Sequence, residues 1–237
     1  MPSDDFMERA GDEREMTAIA DDIDDLDDDH ADEEDTDTVT FASLGLPEEI
    51  LAAVTDMGFR VPTPIQAAAI PPLLELRDVV GIAQTGTGKT AAFGLPLLAI
   101  VDADERDVQA LVLAPTRELA MQSAQAIEDF AARTARLDVV PVYGGSPYGP
   151  QIGALKRGAQ VVVGTPGRVI DLIEKGALDL SHVRMLVLDE ADEMLRMGFA
   201  EDVETIASSA PDDRLTALFS ATMPAAIEKV AREHLKD

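Results

Sequence analysis

The sequence predicts an α/β protein: a doubly wound, mostly parallel sheet with helices on both faces, preceded by a disordered acidic tail. Three features point there. From Phe41 onward, short Val/Ile/Leu runs alternate with helix-like stretches, the order expected of strand–helix units rather than hairpins. Several runs are apolar throughout instead of alternating, which suits strands covered on both sides. Acidic residues concentrate in positions 1–40, which hold eighteen of them against two basic ones, a net of −16 out of −27 for the whole chain.

The tail repeats Asp around isolated apolar side chains, as in Asp21-Asp22-Ile23-Asp24-Asp25-Leu26. Such a segment buries too little surface to offset the entropy of ordering it, so a solvated, solubilising tail is expected. The boundary falls near Thr40, where aspartates give way to Phe41-Ala42-Ser43-Leu44, and residues 41–237 form the folded domain with the remaining −11. There is no cysteine, which excludes disulfides and thiolate metal sites. No apolar run approaches the roughly 18–20 residues of a membrane span. The N-terminus is acidic and has no apolar signal core, so a cytoplasmic protein is expected by elimination. His30, His182 and His234 are scattered, and no metal or catalytic role is assigned to them.

Strands are expected over residues 78–82, 110–114, 139–142, 160–163, 185–188 and 216–219. Between the second and third, Leu119, Ile127 and Phe130 recur at helical spacing, with Ser123 the weak member of the stripe. Thr63-Pro64, Thr116 and Thr165-Pro166 each place a hydroxyl at a helix start, twice with Pro in the first helical position. Gly176 marks the end of the helix begun at Thr165.

Two local patterns carry chemistry. Ala83-Gln84-Thr85-Gly86-Thr87-Gly88-Lys89-Thr90 fits the phosphate-loop pattern with Ala in the first Gly position, directly after a strand and before Ala91-Ala92-Phe93. Gly86 and Gly88 let backbone N–H groups close on phosphate oxygens, Lys89 supplies a point charge to the β/γ-phosphates, and the Thr90 hydroxyl suits Mg²⁺. About a hundred residues later, Asp189-Glu190-Ala191-Asp192 closes the apolar run Met185-Leu186-Val187-Leu188. Adjacent carboxylates at the end of a buried strand are costly unless a cation sits against them. Asp189 is therefore expected to hold Mg²⁺, and Glu190 to orient or deprotonate an attacking water, with Lys89 completing the catalytic set. On the residues alone, Asp192 could equally be a simple helix-start residue.

Together with these two motifs, five others give a resemblance. Gly58-Phe59-Arg60-Val61-Pro62-Thr63-Pro64-Ile65-Gln66, Pro115-Thr116-Arg117-Glu118-Leu119-Ala120, Gly144-Gly145, Thr165-Pro166-Gly167-Arg168 and Ser220-Ala221-Thr222 complete a set of seven in order. Over residues 41–237 the chain resembles the N-terminal RecA-like lobe of a DEAD-box ATP-dependent RNA helicase. The Leu- and Asp-rich stretch 187–206 is most similar to bacterial general-purpose and cold-shock members.

The resemblance implies ATP and Mg²⁺ as cofactors, with Gln66 reading adenine, Phe59 packing on the base and Phe41 bracing that loop. It implies that Ser220 and Thr222 bond near Asp192 and link nucleotide state to a second RecA-like lobe. It implies an RNA partner held by its backbone along Thr116, Arg117, Gly144, Gly145, Thr165, Pro166, Gly167 and Arg168, where helix N-termini and a glycine pair offer N–H groups to phosphate. Arg117 and Arg168 are expected to add charge-assisted bonds. Little sequence preference follows. The acidic tail could also act as a pseudo-substrate competing with RNA for basic sites. Leu76 departs from the Gly usual at its position. The family's second lobe and its arginine finger lie beyond this sequence, so ATP binding with very slow turnover and no unwinding is expected of the chain alone. A non-unwinding, ATP-gated RNA clamp and a DNA translocase are the alternatives.

Overall fold

The computed structural model describes residues 39–236. The tail expected over 1–40 lies outside the described residues apart from its last two. Along the chain, a 3-10 turn (Phe41–Leu44) leads to α1 (Glu48–Asp56), α2 (Pro64–Leu74), β1 (Val79–Ile82), α3 (Lys89–Ile100) and β2 (Ala110–Leu113). Then come α4 (Arg117–Phe130), β3 (Val139–Val142), α5 (Tyr148–Arg157), β4 (Val161–Gly164) and α6 (Pro166–Glu174). The remainder is β5 (Met185–Leu188), α7 (Ala191–Arg196), α8 (Ala200–Ala207), β6 (Leu215–Ser220) and α9 (Ala225–His234). Each expected strand is present, with ends shifted by no more than one residue.

The strands form one sheet in the order β1-β6-β5-β2-β4-β3, and every pairing is parallel. The continuous apolar runs are explained by two cores, one on each face. In β2, Ala110 and Val112 enter one core while Leu111 and Leu113 enter the other; in β5, Met185 and Val187 separate likewise from Leu186 and Leu188. Helices therefore cover both sides, and period-two alternation of apolar with polar residues has no place in these strands. Ser123 is buried on α4 beside Ile127 and Phe130, so the stripe holds across its polar member. Gly81 in β1 is required by close approach: a Cβ there would lie 2.6 Å from the Phe219 ring.

The expected helix boundaries have identifiable causes. Thr116 Oγ1 accepts from the Leu119 N–H at 3.2 Å and caps α4. At α2 the cap is reversed: Gln66 Oε1 accepts from the Thr63 N–H at 2.9 Å, the half of a capping box contributed by the third helical residue. Gly176, at φ +62°, follows the end of α6, and its N–H bonds the Ile173 carbonyl at 2.9 Å.

Leu76 takes a left-handed conformation, φ +59°, in the turn between α2 and β1. Its side chain is 67 % exposed and contributes little packing. A non-glycine residue in this region carries a steric cost of about 1–2 kcal/mol from its Cβ. Leu76→Gly should therefore stabilise the domain by about 0.5–1 kcal/mol after the added freedom of the unfolded chain is subtracted. Urea unfolding tests this: the midpoint should rise with an unchanged slope, whereas a fall would show that the leucine packs to advantage.

Candidate functional site

Sheet order separates the candidate residues into two groups on one edge. The phosphate loop follows β1, Ser220-Ala221-Thr222 ends β6, and Asp189-Glu190 follows β5. These three strands are neighbours, so motifs more than a hundred residues apart converge. The Ala83 N–H bonds the Ser220 carbonyl at 3.0 Å and joins the loop to the end of β6. Gly88, at φ +89°, is the N-cap of α3, and a Cβ there would collide with the Gln66 amide.

Lys89 is buried at 6 % exposure and lies 3.5 Å from Glu190 Oε1. The same oxygen accepts from Thr85 Oγ1 at 2.8 Å. Within the loop, Thr87 Oγ1 donates to the Gln84 carbonyl at 2.7 Å. Among the described residues Lys89 Nζ has no hydrogen-bond partner, and neither has buried Asp189 Oδ1. An ammonium and a carboxylate oxygen buried this way cost several kcal/mol between them unless a ligand completes their shells. The residues fit phosphate oxygens at Lys89 and a hard divalent cation at Asp189. Glu190 also holds a left-handed backbone, with φ 51° and ψ 51° at the start of α7, a conformation costly for a non-glycine residue.

Beside the loop, Gln66 is buried, and its Nε2 donates to the Gly88 carbonyl at 3.1 Å. With Oε1 on the Thr63 N–H, the amide retains one N–H and one lone pair for a further partner. Phe59 packs between Phe41, at 5.9 Å between ring centroids, and Phe130, at 6.3 Å. On the other side of β6, Thr222 Oγ1 donates to Asp192 Oδ2 at 2.8 Å, and the Asp192 N–H to Ser220 Oγ at 3.3 Å. Desolvation pushes the Asp192 carboxyl up, but bonds from Thr222 and Ser220 outweigh it and hold the group below its ordinary range.

The second group lies at the ends of β2, β4 and β3. Thr116 and Arg117 open α4, Thr165 and Pro166 open α6, and Gly144 and Gly145 follow β3. Arg117, Gly144, Gly145 and Gly167 are exposed. The Arg117 guanidinium lies over the Tyr143 ring, 4.8 Å from its centroid, and makes no ion pair among the described residues.

Residues 63–230 match the family of DEAD/DEAH box helicases. The chain belongs to that family. It is 57 % identical over 202 residues to the ATP-dependent RNA helicase DeaD of Haemophilus influenzae, covering 85 % of this chain and 33 % of that protein. It is 57 % identical over 198 residues to the protein of the same name from Mycobacterium tuberculosis, covering 84 % of this chain and 35 % of the relative. The chain thus spans about a third of the length of these curated relatives. A DEAD box protein from the hyperthermophile Methanococcus jannaschii superposes with a TM-score of 0.80 at 45 % identity, covering 84 % of this chain and 54 % of that one. The sheet described above is the RecA-like fold of these DEAD-box neighbours.

One expectation for this DEAD-box lobe needs correction. Arg168 was expected to present its guanidinium to phosphate, but it is 7 % exposed and turned inward. It donates to Gln151 Oε1 at 2.9 Å and to the Ser146 carbonyl at 3.0 Å, and it stacks on the Tyr148 ring at 4.1 Å. Its position on α6 is as expected; the direction of its side chain is set by α5, which sequence spacing does not reveal. Gln151, Tyr143 and the Thr85–Glu190 bond were not singled out from sequence, since a polar residue inside a helix or beside a glycine pair carries no distinguishing signal.

Burial pushes the Asp189 carboxyl up to about 6, against the pull of Lys89 and with a smaller push from Glu190. An acid raised above its ordinary 3.8 binds its proton more tightly in the folded state. The fold is then favoured most below that value and loses stability as pH rises through about 6. Asp189→Asn should accordingly stabilise the ligand-free lobe at pH 7.5 by on the order of 1–3 kcal/mol, and by far less at pH 4. Urea midpoints of both proteins at the two pH values test this; equal differences at both would exclude a buried, destabilising carboxylate.

Proposed function

We propose that this chain is the nucleotide-binding first lobe of an ATP-dependent RNA helicase acting in the cytoplasm, where ATP, Mg²⁺ and RNA occur together. The observation that carries the proposal is the pair of buried groups without hydrogen bonds among the described residues, Lys89 Nζ at the start of α3 and Asp189 Oδ1 just after β5. In this reading the loop Ala83-Gln84-Thr85-Gly86-Thr87-Gly88 wraps the phosphates with its N–H groups, and Lys89 binds the β/γ-phosphates. Thr90 and Asp189 would hold Mg²⁺, which when bound supplies positive charge against the phosphate oxygens.

Glu190, its oxygen held by Thr85 and near Lys89, orients the attacking water and accepts its proton. The free N–H and lone pair of Gln66 suit the adenine edge, with Phe59 beside the base and Phe41 behind it. Asp192, Ser220 and Thr222 form the linkage through which nucleotide state reaches a second RecA-like lobe in the longer protein. Thr116, Arg117, Gly144, Gly145, Thr165 and Gly167 bind the RNA backbone, and buried Pro166 and Arg168 shape that surface from beneath. Backbone contacts of this type position RNA without reading its bases.

An arginine finger from a second lobe is worth roughly 10³–10⁵ in rate in related phosphoryl-transfer enzymes. The chain alone should therefore bind ATP but turn it over no faster than Lys89→Ala, with or without single-stranded RNA. Lys89→Ala should weaken ATP binding by about 10- to 100-fold through loss of a charge-assisted contact. Fluorescent-nucleotide titration and steady-state phosphate release check both. Equal nucleotide affinity in the two proteins would sink the phosphate-loop assignment. RNA-stimulated turnover that Lys89→Ala abolishes would show that no second lobe is required.

A further inference from the structure

We infer that Tyr143 and Gln151 are positioning residues for RNA-backbone binding. Gln151, with Arg168, fixes both ends of the Gly144-Gly145 turn, and the Tyr143 ring holds the Arg117 guanidinium beside it. The inference rests on the RNA reading given above.

The turn has no packing to define it. A Cβ placed on Gly144 or Gly145 would meet nothing within 4 Å, and Gly145 sits at φ +73°, where glycine has freedom to lose. Its conformation is set from its ends. The Tyr143 carbonyl accepts from Gln151 Nε2 at 3.1 Å, and the Ser146 carbonyl accepts from the Arg168 guanidinium at 3.0 Å. Gln151 and Arg168 are joined by a 2.9 Å bond and are 6 % and 7 % exposed. One buried side-chain pair thus draws both flanking carbonyls inward. Neither glycine N–H has a partner among the described residues, so both remain available to a phosphate oxygen.

Tyr143 connects this clamp to Arg117. Its carbonyl is one of the two anchored groups, while its ring lies 4.8 Å under the Arg117 guanidinium. Arginine gives up considerable rotamer freedom when it binds phosphate, and an aromatic face that holds the planar group in advance reduces that loss. A cation–π contact at an exposed site of this kind corresponds to about two- to fivefold in affinity. The Tyr143 hydroxyl makes no hydrogen bond among the described residues, so the ring alone performs the role.

The test is binding of a short fluorescein-labelled polyuridylate to this chain and its variants, followed by anisotropy over a series of KCl concentrations. Arg117→Ala should weaken binding and reduce the salt slope by about 0.7, one phosphate contact to a single strand. Tyr143→Leu should weaken binding about two- to fivefold and lower the slope in the same direction. Tyr143→Phe should match the wild type. Adding Tyr143→Leu to Arg117→Ala should cost nothing further, and Gln151→Met should weaken binding about fivefold through loss of the anchoring bond.

Wild-type affinity and slope in Tyr143→Leu, or full additivity in the double variant, would overturn the inference while leaving the RNA reading intact. Absence of RNA binding by the wild-type chain would overturn that reading and the inference with it. Should Gln151→Met fail to fold, Gln151→Glu keeps the acceptor for Arg168 but loses the donor to the Tyr143 carbonyl; it should weaken binding likewise, and wild-type affinity there would overturn the role of Gln151.

Discussion

Because all six strands run in one direction, their carboxyl ends share a single edge of the sheet, and the motifs that follow the strands depend on that constraint. At each such end the chain must turn into a helix, and a turn entering a helix exposes N–H groups that have no internal partner. Order within the sheet then separates the chemistry. The ends of β1, β6 and β5 gather the phosphate loop, Ser220-Ala221-Thr222 and Asp189-Glu190, while those of β2, β4 and β3 gather the helix starts and the glycine pair. One reversed strand would send its turn to the opposite edge and remove its motif from the group.

The first group is organised around charge that the protein leaves incomplete. Lys89 and Asp189 are buried and Glu190 lies partly exposed beside them, with the carboxyl of Asp189 raised by its own burial and Glu190 in a left-handed conformation. These features work against stability, and the surrounding apolar cores are what allow the fold to carry them. The same region is mechanically continuous. The Ala83 N–H is bonded to the Ser220 carbonyl, and Ser220 and Thr222 are bonded to Asp192. A change at the phosphate loop therefore has a short hydrogen-bonded route to the surface formed by α7, which is the geometry that the proposed coupling to a second lobe requires.

Much of the fold was legible because its signals are local. Continuous apolar runs mark buried parallel strands, Thr116 caps a helix through its own third residue, and Gly176 ends one through its own φ. The phosphate loop and the acidic strand end were legible for the same reason, since contiguous residues form each of them. The direction of the Arg168 side chain is not legible in sequence because its environment is not local: its bonding partners lie 17 and 22 residues away, Gln151 on α5 and Ser146 in the loop before it. Leu76 shows the converse. Its departure from glycine was visible in sequence, but only the backbone shows that the turn keeps its left-handed form and places the leucine in solvent.

Composition and spacing within single stretches of chain encode the fold class, the six strands, and the phosphate-loop and acidic strand-end motifs. Packing alone settles which motifs are neighbours, which buried groups lack hydrogen bonds among the described residues, and where each guanidinium points. Those properties depend on burial and on contacts across the sheet, and an arginine's spacing is the same whether it faces solvent, as Arg117 does, or a buried glutamine, as Arg168 does. The balance between desolvation and available hydrogen bonds separates the two, and that balance exists only once the elements have packed.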